Sequence, residues 1–109
     1  MNRGEVWTAA GGNDYAGKPR PVVIIQSGAF NNLRSVTICP ITSDAADLPL
    51  FRIRVEPSGG NGLLLPSRIM ADKVTTVPKS KIGRQLGRLS DQDTLRLNQA
   101  ILVFLGLAG

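Results

Sequence analysis

Six short runs of apolar and β-branched residues follow one another along this chain, with turn residues between them and one helix-like segment near the end. The clearest run is LFRIRVEP at residues 50–57, where apolar and charged side chains alternate as in a strand with one buried face. This order of segments predicts a mostly β fold. The other candidate strands are GEVWTA at residues 4–9, PVVIIQS at 21–27, SVTICPIT at 35–42, LLLPSRIM at 63–70 and DKVTTVP at 72–78.

Turn residues and one helix complete the predicted architecture. Glycine and proline predict a long loop in AGGNDYAGKP, residues 10–19, and a turn in SGGNG, residues 58–62. The segment SDQDTLRLNQAILVFLGLA, residues 90–108, predicts a helix, because Ser90 can cap its N-terminus and acidic residues follow in the first turn. Its apolar arc is wide, which fits either a helix that covers one end of the sheet or one shared with a dimer interface. We therefore expect a small SH3-like barrel of strongly curved antiparallel strands with one C-terminal α-helix.

The composition limits the size, the partners and the chemistry of the protein. A chain of 109 residues is expected to form one domain, residues 1–109. The 13 Lys and Arg residues outnumber the 8 Asp and Glu residues, and the net charge of +5 favours an acidic partner such as nucleic acid. The absence of histidine and the single Cys39 exclude histidine-dependent triads and ordinary zinc sites. One cysteine and no apolar run of bilayer length predict a soluble, cytoplasmic protein that does not contact a membrane.

Arg20 stands between Pro19 and Pro21 at the start of a predicted buried strand, an uncommon place for a charge. The prolines stiffen the backbone beside the strand, and a guanidinium can hold two phosphate oxygens at once. Thr42 and Ser43 begin the loop that follows CPI in the next predicted strand, and they can donate hydroxyl hydrogen bonds to the same phosphate. The alternatives are a solvated surface arginine and an ordinary turn hydroxyl at Thr42.

Four motifs that cover nearly the whole chain resemble one known family. They are RGEVW at residues 3–7, GKPRPVVIIQ at 17–26, TICPITS at 37–43 and MADKVTTV at 70–77. Together they resemble the MazF/PemK family of bacterial type II toxins, and the arginine-proline-valine run after a glycine-rich loop is the most specific of the four. The resemblance implies the CcdB/PemK-like form of the barrel.

The resemblance also implies an activity and partners. Members of this family are homodimeric endoribonucleases that cut single-stranded RNA without metal or cofactor, and an acidic, partly disordered antitoxin neutralises them. Their usual catalytic pair corresponds here to Arg20 and Thr42. RNA can be cleaved by its own 2′-OH if the protein supplies positioning and fixed positive donors. Because arginine stays protonated in most protein settings, we assign Arg20 an electrostatic role and leave the general acid and base unassigned.

Further residues are candidates for substrate contacts, each with a simpler alternative. Tyr15 in the glycine-rich loop can stack on a base, whereas Trp7 is assigned to the core. Arg68 can contact RNA or be an ordinary exposed strand arginine. Asp72 can orient a guanidinium, serve as a base or form a surface ion pair. The predicted substrate-binding residues are Tyr15, Lys18, Ser43, Arg68 and Asp72.

Two functions from other classes are compatible with the same fold. A sister family that resembles CcdB poisons DNA gyrase by binding and relies on its C-terminal helix, including an aromatic residue near the end. This chain ends in VFLGLAG, with Phe104 but no terminal tryptophan. A non-catalytic SH3-like RNA-binding module is the third interpretation, which the basic charge alone permits. The arginine motif favours the nuclease.

Overall fold

Seven strands and one C-terminal helix make up the computed structural model, which describes residues 1–10 and 18–108. The predicted class, mostly β with a single helix at the end, is confirmed. Short 3₁₀ turns at Gly28–Phe30, Ala71–Lys73 and Lys79–Lys81 lie between strands. The elements are β1 (Glu5–Ala9), β2 (Arg20–Ile24), β3 (Ser35–Thr42), β4 (Arg52–Val55), β5 (Ser67–Met70), β6 (Thr75–Pro78), β7 (Ile82–Arg88) and α1 (Asp91–Phe104).

The strands form one antiparallel sheet in the order β4-β5-β3-β2-β1-β7, with β6 also paired to β3. The central strand, β3, is eight residues long. One side of β3 pairs with β2, while the other side pairs with β6 near its start and with β5 at its end. In the described parts of the chain, β4 and β7 lie at opposite ends of this order and do not pair, so the sheet does not close into a complete barrel.

Alternation along the central strands divides the apolar side chains between two cores. Val23 and Cys39 belong to the core that also contains Leu97 of α1, which we call the helix-side core. Val22 and Ile38 point the other way, into a second core. Since both faces of β2 and β3 are covered, polar side chains on these strands reach solvent mainly at the strand ends.

Helix α1 contributes only part of its apolar surface to the core. The Ser90 hydroxyl oxygen accepts a hydrogen bond from the Asp93 amide at 3.1 Å, which confirms the predicted N-cap. Leu97 and Ala100 are buried in the helix-side core. Within residues 1–10 and 18–108, no helix has the length and apolar character required to cross a membrane. Large apolar side chains that stay exposed on α1 are Leu95, Leu102, Val103 and Phe104.

Strand β7 was not expected from the sequence. Its sequence, IGRQLGR, contains Gly83 and Gly87, and glycine weakens the strand pattern. Gly87 permits a close packing contact, because a Cβ atom at this position would lie 2.2 Å from the carbonyl oxygen of Gly60. The predicted turn at residues 58–62 therefore packs directly on β7.

Two predicted strands begin later than their composition suggested. The run at 63–70 forms a strand only from Ser67 onward, after Pro66, which has no amide hydrogen to donate to a ladder. The run at 72–78 starts inside the 3₁₀ turn Ala71–Lys73 and becomes extended at Thr75. The irregular segment before β5 is available to line a cleft.

Candidate functional site

Arg20 is the first residue of β2 and is exposed. On one side its Cα lies opposite Ala9 of β1. On the other side, β2 and β3 pair in a register that joins Val22 to Pro40. The pairing ends there, two residues from Arg20 on β2 and two residues from Thr42, the last residue of β3. The folded sheet thus brings the start of β2 and the end of β3 to the same edge, although Arg20 and Thr42 are 22 positions apart in the sequence.

Opposed residues extend from Thr42 across two more strands. Thr42 lies opposite Arg68 of β5, and Arg68 lies opposite Arg54 of β4. Opposed residues of antiparallel strands project on the same face of a sheet. Thr42, Arg68 and Arg54 therefore form one row across β3, β5 and β4, and Arg20 lies at the adjoining end of β2; we call these four residues the basic row. The Arg54 Nε donates to a Glu56 carboxylate oxygen at 3.0 Å, so the part of the basic row suited to a phosphate backbone is Arg20, Thr42 and Arg68.

The Thr42 hydroxyl makes a turn contact through its oxygen and keeps its proton for a second hydrogen bond. Its oxygen accepts a hydrogen bond from the Asp44 amide at 3.1 Å. A hydroxyl has one proton to donate as well as lone pairs to accept, so this contact leaves the proton for another acceptor. Both interpretations of Thr42, the turn hydroxyl and the phosphate donor, are therefore compatible in one geometry.

A cleft of about 640 Å³ opens beside Arg20. The last residues before β2, the end of β3, the segment before β5 and part of β7 enclose it. Among its described lining residues there are three cations and no carboxylate, which makes the cleft favourable for an anion. The lining residues are Thr8, Lys18, Pro19, Arg20, Pro21, Ile41, Ser43, Gly62, Leu63, Leu64, Leu65, Ser67, Arg84, Gln85 and Leu86.

The predicted site residues divide between the cleft and the basic row. Lys18, Arg20 and Ser43 line the cleft. Thr42 and Arg68 lie in the basic row, outside the lining of the cleft. Arg20 belongs to both, so the cleft and the row meet at this residue. Tyr15, the predicted stacking residue, lies outside the described residues, as does most of the predicted loop at residues 10–19.

Asp72 is paired with Arg52 and is not part of the cleft lining. The Arg52 Nε and Nη2 atoms donate to the two carboxylate oxygens of Asp72 at 3.3 and 3.2 Å. The two side chains are only 13% and 16% exposed, so the pair is well shielded from water. Partial burial alone would raise the pKa of Asp72, but the hydrogen bonds and charge of Arg52 outweigh it and lower that pKa. The structure thus shows a largely buried ion pair in which Asp72 orients the Arg52 guanidinium, and a carboxylate with a lowered pKa is a weak base.

Cys39 is buried in the helix-side core, and Trp7 is partly buried. Burial raises the pKa of the Cys39 thiol to about 12, which keeps it protonated at neutral pH and unsuited to act as a nucleophile. Trp7 packs against the second core, and its indole nitrogen donates to a Glu5 carboxylate oxygen at 3.0 Å. In residues 1–10 and 18–108 there is no group of three or more potential metal ligands among His, Cys, Asp and Glu.

The cleft also contains residues that the sequence analysis missed. Arg84 and Gln85 come from β7, and Leu64 and Leu65 come from the segment before β5. No local signal identified Arg84, because the strand that carries it was not predicted. Only the pairing of β1 with β7, which joins Trp7 to Gln85, places this part of the chain beside Arg20.

Known proteins share both the sequence and the fold. Residues 2–105 match the family model described as "PemK-like, MazF-like toxin of type II toxin-antitoxin system". A relative from Mycolicibacterium smegmatis, named "Probable endoribonuclease MazF", is 50% identical over 109 residues, which cover 100% of both chains. The solved structure of the Mycobacterium tuberculosis toxin MazF-mt6 is 28% identical, with a TM-score of 0.80 over 96% of this chain and 99% of that chain. A mycobacterial endoribonuclease in complex with its cognate antitoxin shares the fold, with a TM-score of 0.81 at 24% identity over 100% of this chain and 98% of that chain.

Proposed function

Since this chain belongs to the PemK-like, MazF-like family of toxins from type II toxin-antitoxin systems, we propose that it is an endoribonuclease that cuts single-stranded RNA without a metal ion. The observation that carries the proposal is the exposed Arg20 in the lining of a cleft that contains three cations and no carboxylate among its described residues, beside the end of β3 that carries Thr42. We take residues 1–109 as one toxin domain. The proposed compartment is the cytoplasm, where the substrate is abundant and a single thiol remains reduced.

The proposed reaction uses the RNA's own 2′-OH as nucleophile. The 2′-oxygen forms a bond to the adjacent phosphorus, the bond from phosphorus to the 5′-oxygen breaks, and the products are a 2′,3′-cyclic phosphate and a 5′-OH. The 2′-OH loses its proton and the departing 5′-oxygen gains one. Because the phosphoryl oxygens gain negative charge in the transition state, a fixed guanidinium beside them lowers the barrier.

Each proposed site residue has a separate task in this reaction. Arg20 binds the phosphoryl oxygens, and the Thr42 hydroxyl donates a hydrogen bond to one of them. Arg68, on the next β-strand along the basic row, holds a neighbouring phosphate. Lys18 and Ser43, in the lining of the cleft, hold the RNA. Asp72 is left out of the site because Arg52 occupies its carboxylate.

Cleavage in the presence of excess EDTA is the direct test of this function. We expect the purified protein to cut a long single-stranded RNA at the same positions and rate with and without the chelator, because no step uses a metal ion. Primer extension identifies the positions that are cut. Loss of cleavage on chelation, with recovery on added Mg²⁺, would contradict the metal-independent reaction. A CcdB-like gyrase poison or a non-catalytic RNA-binding module would leave the RNA intact under both conditions.

We also propose two protein partners, a second copy of this chain and an acidic antitoxin. The exposed apolar residues of α1, among them Leu95 and Phe104 at 58% and 46% exposure, supply a surface that a second copy can cover. A dimer interface is one of the two roles that the wide apolar arc of α1 allows: one part of the helix packs on the core, and the other part contacts the second copy. The antitoxin is expected to use acidic residues, because the chain carries a net charge of +5 and the described cleft lining is cationic.

An antitoxin that binds over the cleft and the basic row should compete with RNA. We expect addition of the antitoxin to raise the apparent Kd for a non-cleavable RNA in proportion to its concentration. The inhibition should weaken with added salt, since contacts between exposed charges are screened over about 8 Å at physiological ionic strength. Fluorescence anisotropy at several salt concentrations measures both effects. RNA binding that remains unchanged in a saturated toxin-antitoxin complex would show that the antitoxin binds elsewhere.

A further inference from the structure

One wall of the cleft is apolar, although it faces solvent. Leu64 is 92% exposed and Leu65 is 59% exposed, and both line the cleft. Large exposed aliphatic side chains grouped beside a cavity are typical of a surface that binds a flat apolar ligand. Ile41, Pro19 and Pro21 add further apolar surface to the same cleft.

The segment that carries this wall is fixed in position. Asn61 is 3% exposed, and its side-chain oxygen accepts hydrogen bonds from the amides of Ser58 and Leu63, each at 3.0 Å. Its side-chain nitrogen donates to the carbonyl of Glu56 at 2.9 Å. Gly62 has a φ of +70°, and a Cβ there would lie 2.1 Å from the carbonyl oxygen of Leu86 in β7. The segment that carries the apolar wall therefore packs against β7, which forms the opposite wall of the cleft. This contact makes the cleft preorganised.

The β7 wall supplies polar groups in the same cleft. Arg84 is exposed, its backbone amide donates to the Thr8 hydroxyl at 3.0 Å, and its side chain makes no ion pair within the described residues. The neighbouring Gln85 side-chain nitrogen donates to the carbonyl of Gly87 at 3.2 Å, which orients its amide. A guanidinium plane can stack on a base or bind the edge of one, and an amide can read a base edge.

From these observations we infer that the cleft binds an unpaired nucleobase next to the scissile phosphate, between Leu64 and Leu65 on one side and Arg84 on the other. This inference rests on the proposed function and adds the part of the substrate that the cleft recognises. A nucleobase has two apolar faces and a polar edge, which matches one apolar wall and one polar wall. The cleft volume of about 640 Å³ is in the usual range for a small-ligand site, and Arg20 in its lining places the bound base next to the reacting phosphate.

An abasic scan of a non-cleavable RNA tests the inference without relying on activity. The probe is a fluorescent oligonucleotide that spans the mapped cut site, with 2′-deoxyribose at the cut nucleotide and one abasic residue at each flanking position in turn. We expect one abasic position to weaken binding to the unchanged protein roughly tenfold, as for the loss of one stacked base. Arg84→Ala and Leu64→Ser should bind the intact probe less tightly and show little further loss at that abasic position.

Arg88→Ala is the matched control, because Arg88 is an exposed arginine on the same strand but does not line the cleft. It should keep the full penalty at the abasic position. A phosphate contact by Arg84 would instead weaken intact and abasic probes equally, and this outcome would overturn the inference. If the abasic penalty persists in both Arg84→Ala and Leu64→Ser while the unchanged protein still cuts RNA, the base binds elsewhere and only the inference fails. A protein that neither binds nor cuts RNA would overturn the proposed function as well.

Discussion

Replacement of Arg20 by alanine should slow RNA cleavage about 100- to 1000-fold, the usual cost of losing one donor from an oxyanion-type site. The guanidinium lies at the first residue of β2, where the basic row and the cleft meet. A fixed cation at this place acts mainly when charge develops on the phosphate, so the effect should fall on the rate constant under saturating RNA rather than on affinity alone. Single-turnover kinetics on a short RNA with one cut site measure the two quantities separately.

Two further variants make the Arg20 experiment specific. Arg20→Lys keeps the charge but loses the planar fork that binds two oxygens, so we expect its rate to lie between those of Arg20→Ala and the unchanged protein. Arg88→Ala removes an exposed arginine outside the cleft and should cleave at the original rate. The thermal unfolding midpoint of each variant should remain close to that of the unchanged protein, since substitutions at exposed positions are usually small in effect. An Arg20→Ala variant that cleaves at the original rate would remove Arg20 from the mechanism.

The parts of the structure that follow from local patterns could be predicted from the sequence. The β-branched runs that became β2 and β3 identified Arg20 and Thr42 as residues at strand ends, and Ser90 marked the start of α1. These features depend on neighbouring residues only, because strand alternation and helix capping are short-range effects. The role expected for Arg20 depends on that placement and on the motif around it.

The apolar wall and the β7 wall of the cleft come together through contacts that no local sequence pattern indicates. Gly62 and Gly87 lower the strand signal around them, yet they allow residues 58–65 to pack directly on β7. That packing brings Leu64 and Arg84 into one cleft. A glycine that permits close approach and a glycine that marks a turn look the same in a sequence.

The partner of Asp72 is likewise set by the tertiary structure. Arg52 lies 20 positions earlier in the chain, and the pairing of β4 with β5 aligns it with Met70. The following turn at Ala71–Lys73 then brings the carboxylate to the guanidinium. From the sequence alone, any arginine could have been the ion-pair partner of Asp72. The choice between a structural ion pair and a substrate contact therefore requires the register of the sheet.

RNA that lacks the 2′-hydroxyl at the cut nucleotide should resist cleavage entirely. The proposed reaction has no other nucleophile, since the 2′-oxygen itself forms the new bond to phosphorus. The described lining of the cleft contains no carboxylate, and the buried Cys39 thiol has a pKa raised to about 12 by burial. With 2′-deoxyribose at that nucleotide we expect no product at protein concentrations and times that cleave the all-ribose RNA completely.

The position of the modification provides the control for this experiment. An RNA with 2′-deoxyribose one nucleotide to either side keeps the reacting hydroxyl, so it should still be cut between the same two nucleotides, with at most a modest loss from the missing contact. The products of the unmodified RNA should carry a 2′,3′-cyclic phosphate, seen by mass spectrometry as a fragment 18 Da lighter than the linear phosphate, roughly one water molecule. The new 5′ end should be phosphorylated by polynucleotide kinase without prior phosphatase treatment, because it carries a free hydroxyl. Cleavage of the substrate modified at the cut nucleotide, or a 5′-phosphate on the product, would mean that water attacks the phosphorus, and Arg20 and Thr42 would then have to act together with a base that activates that water.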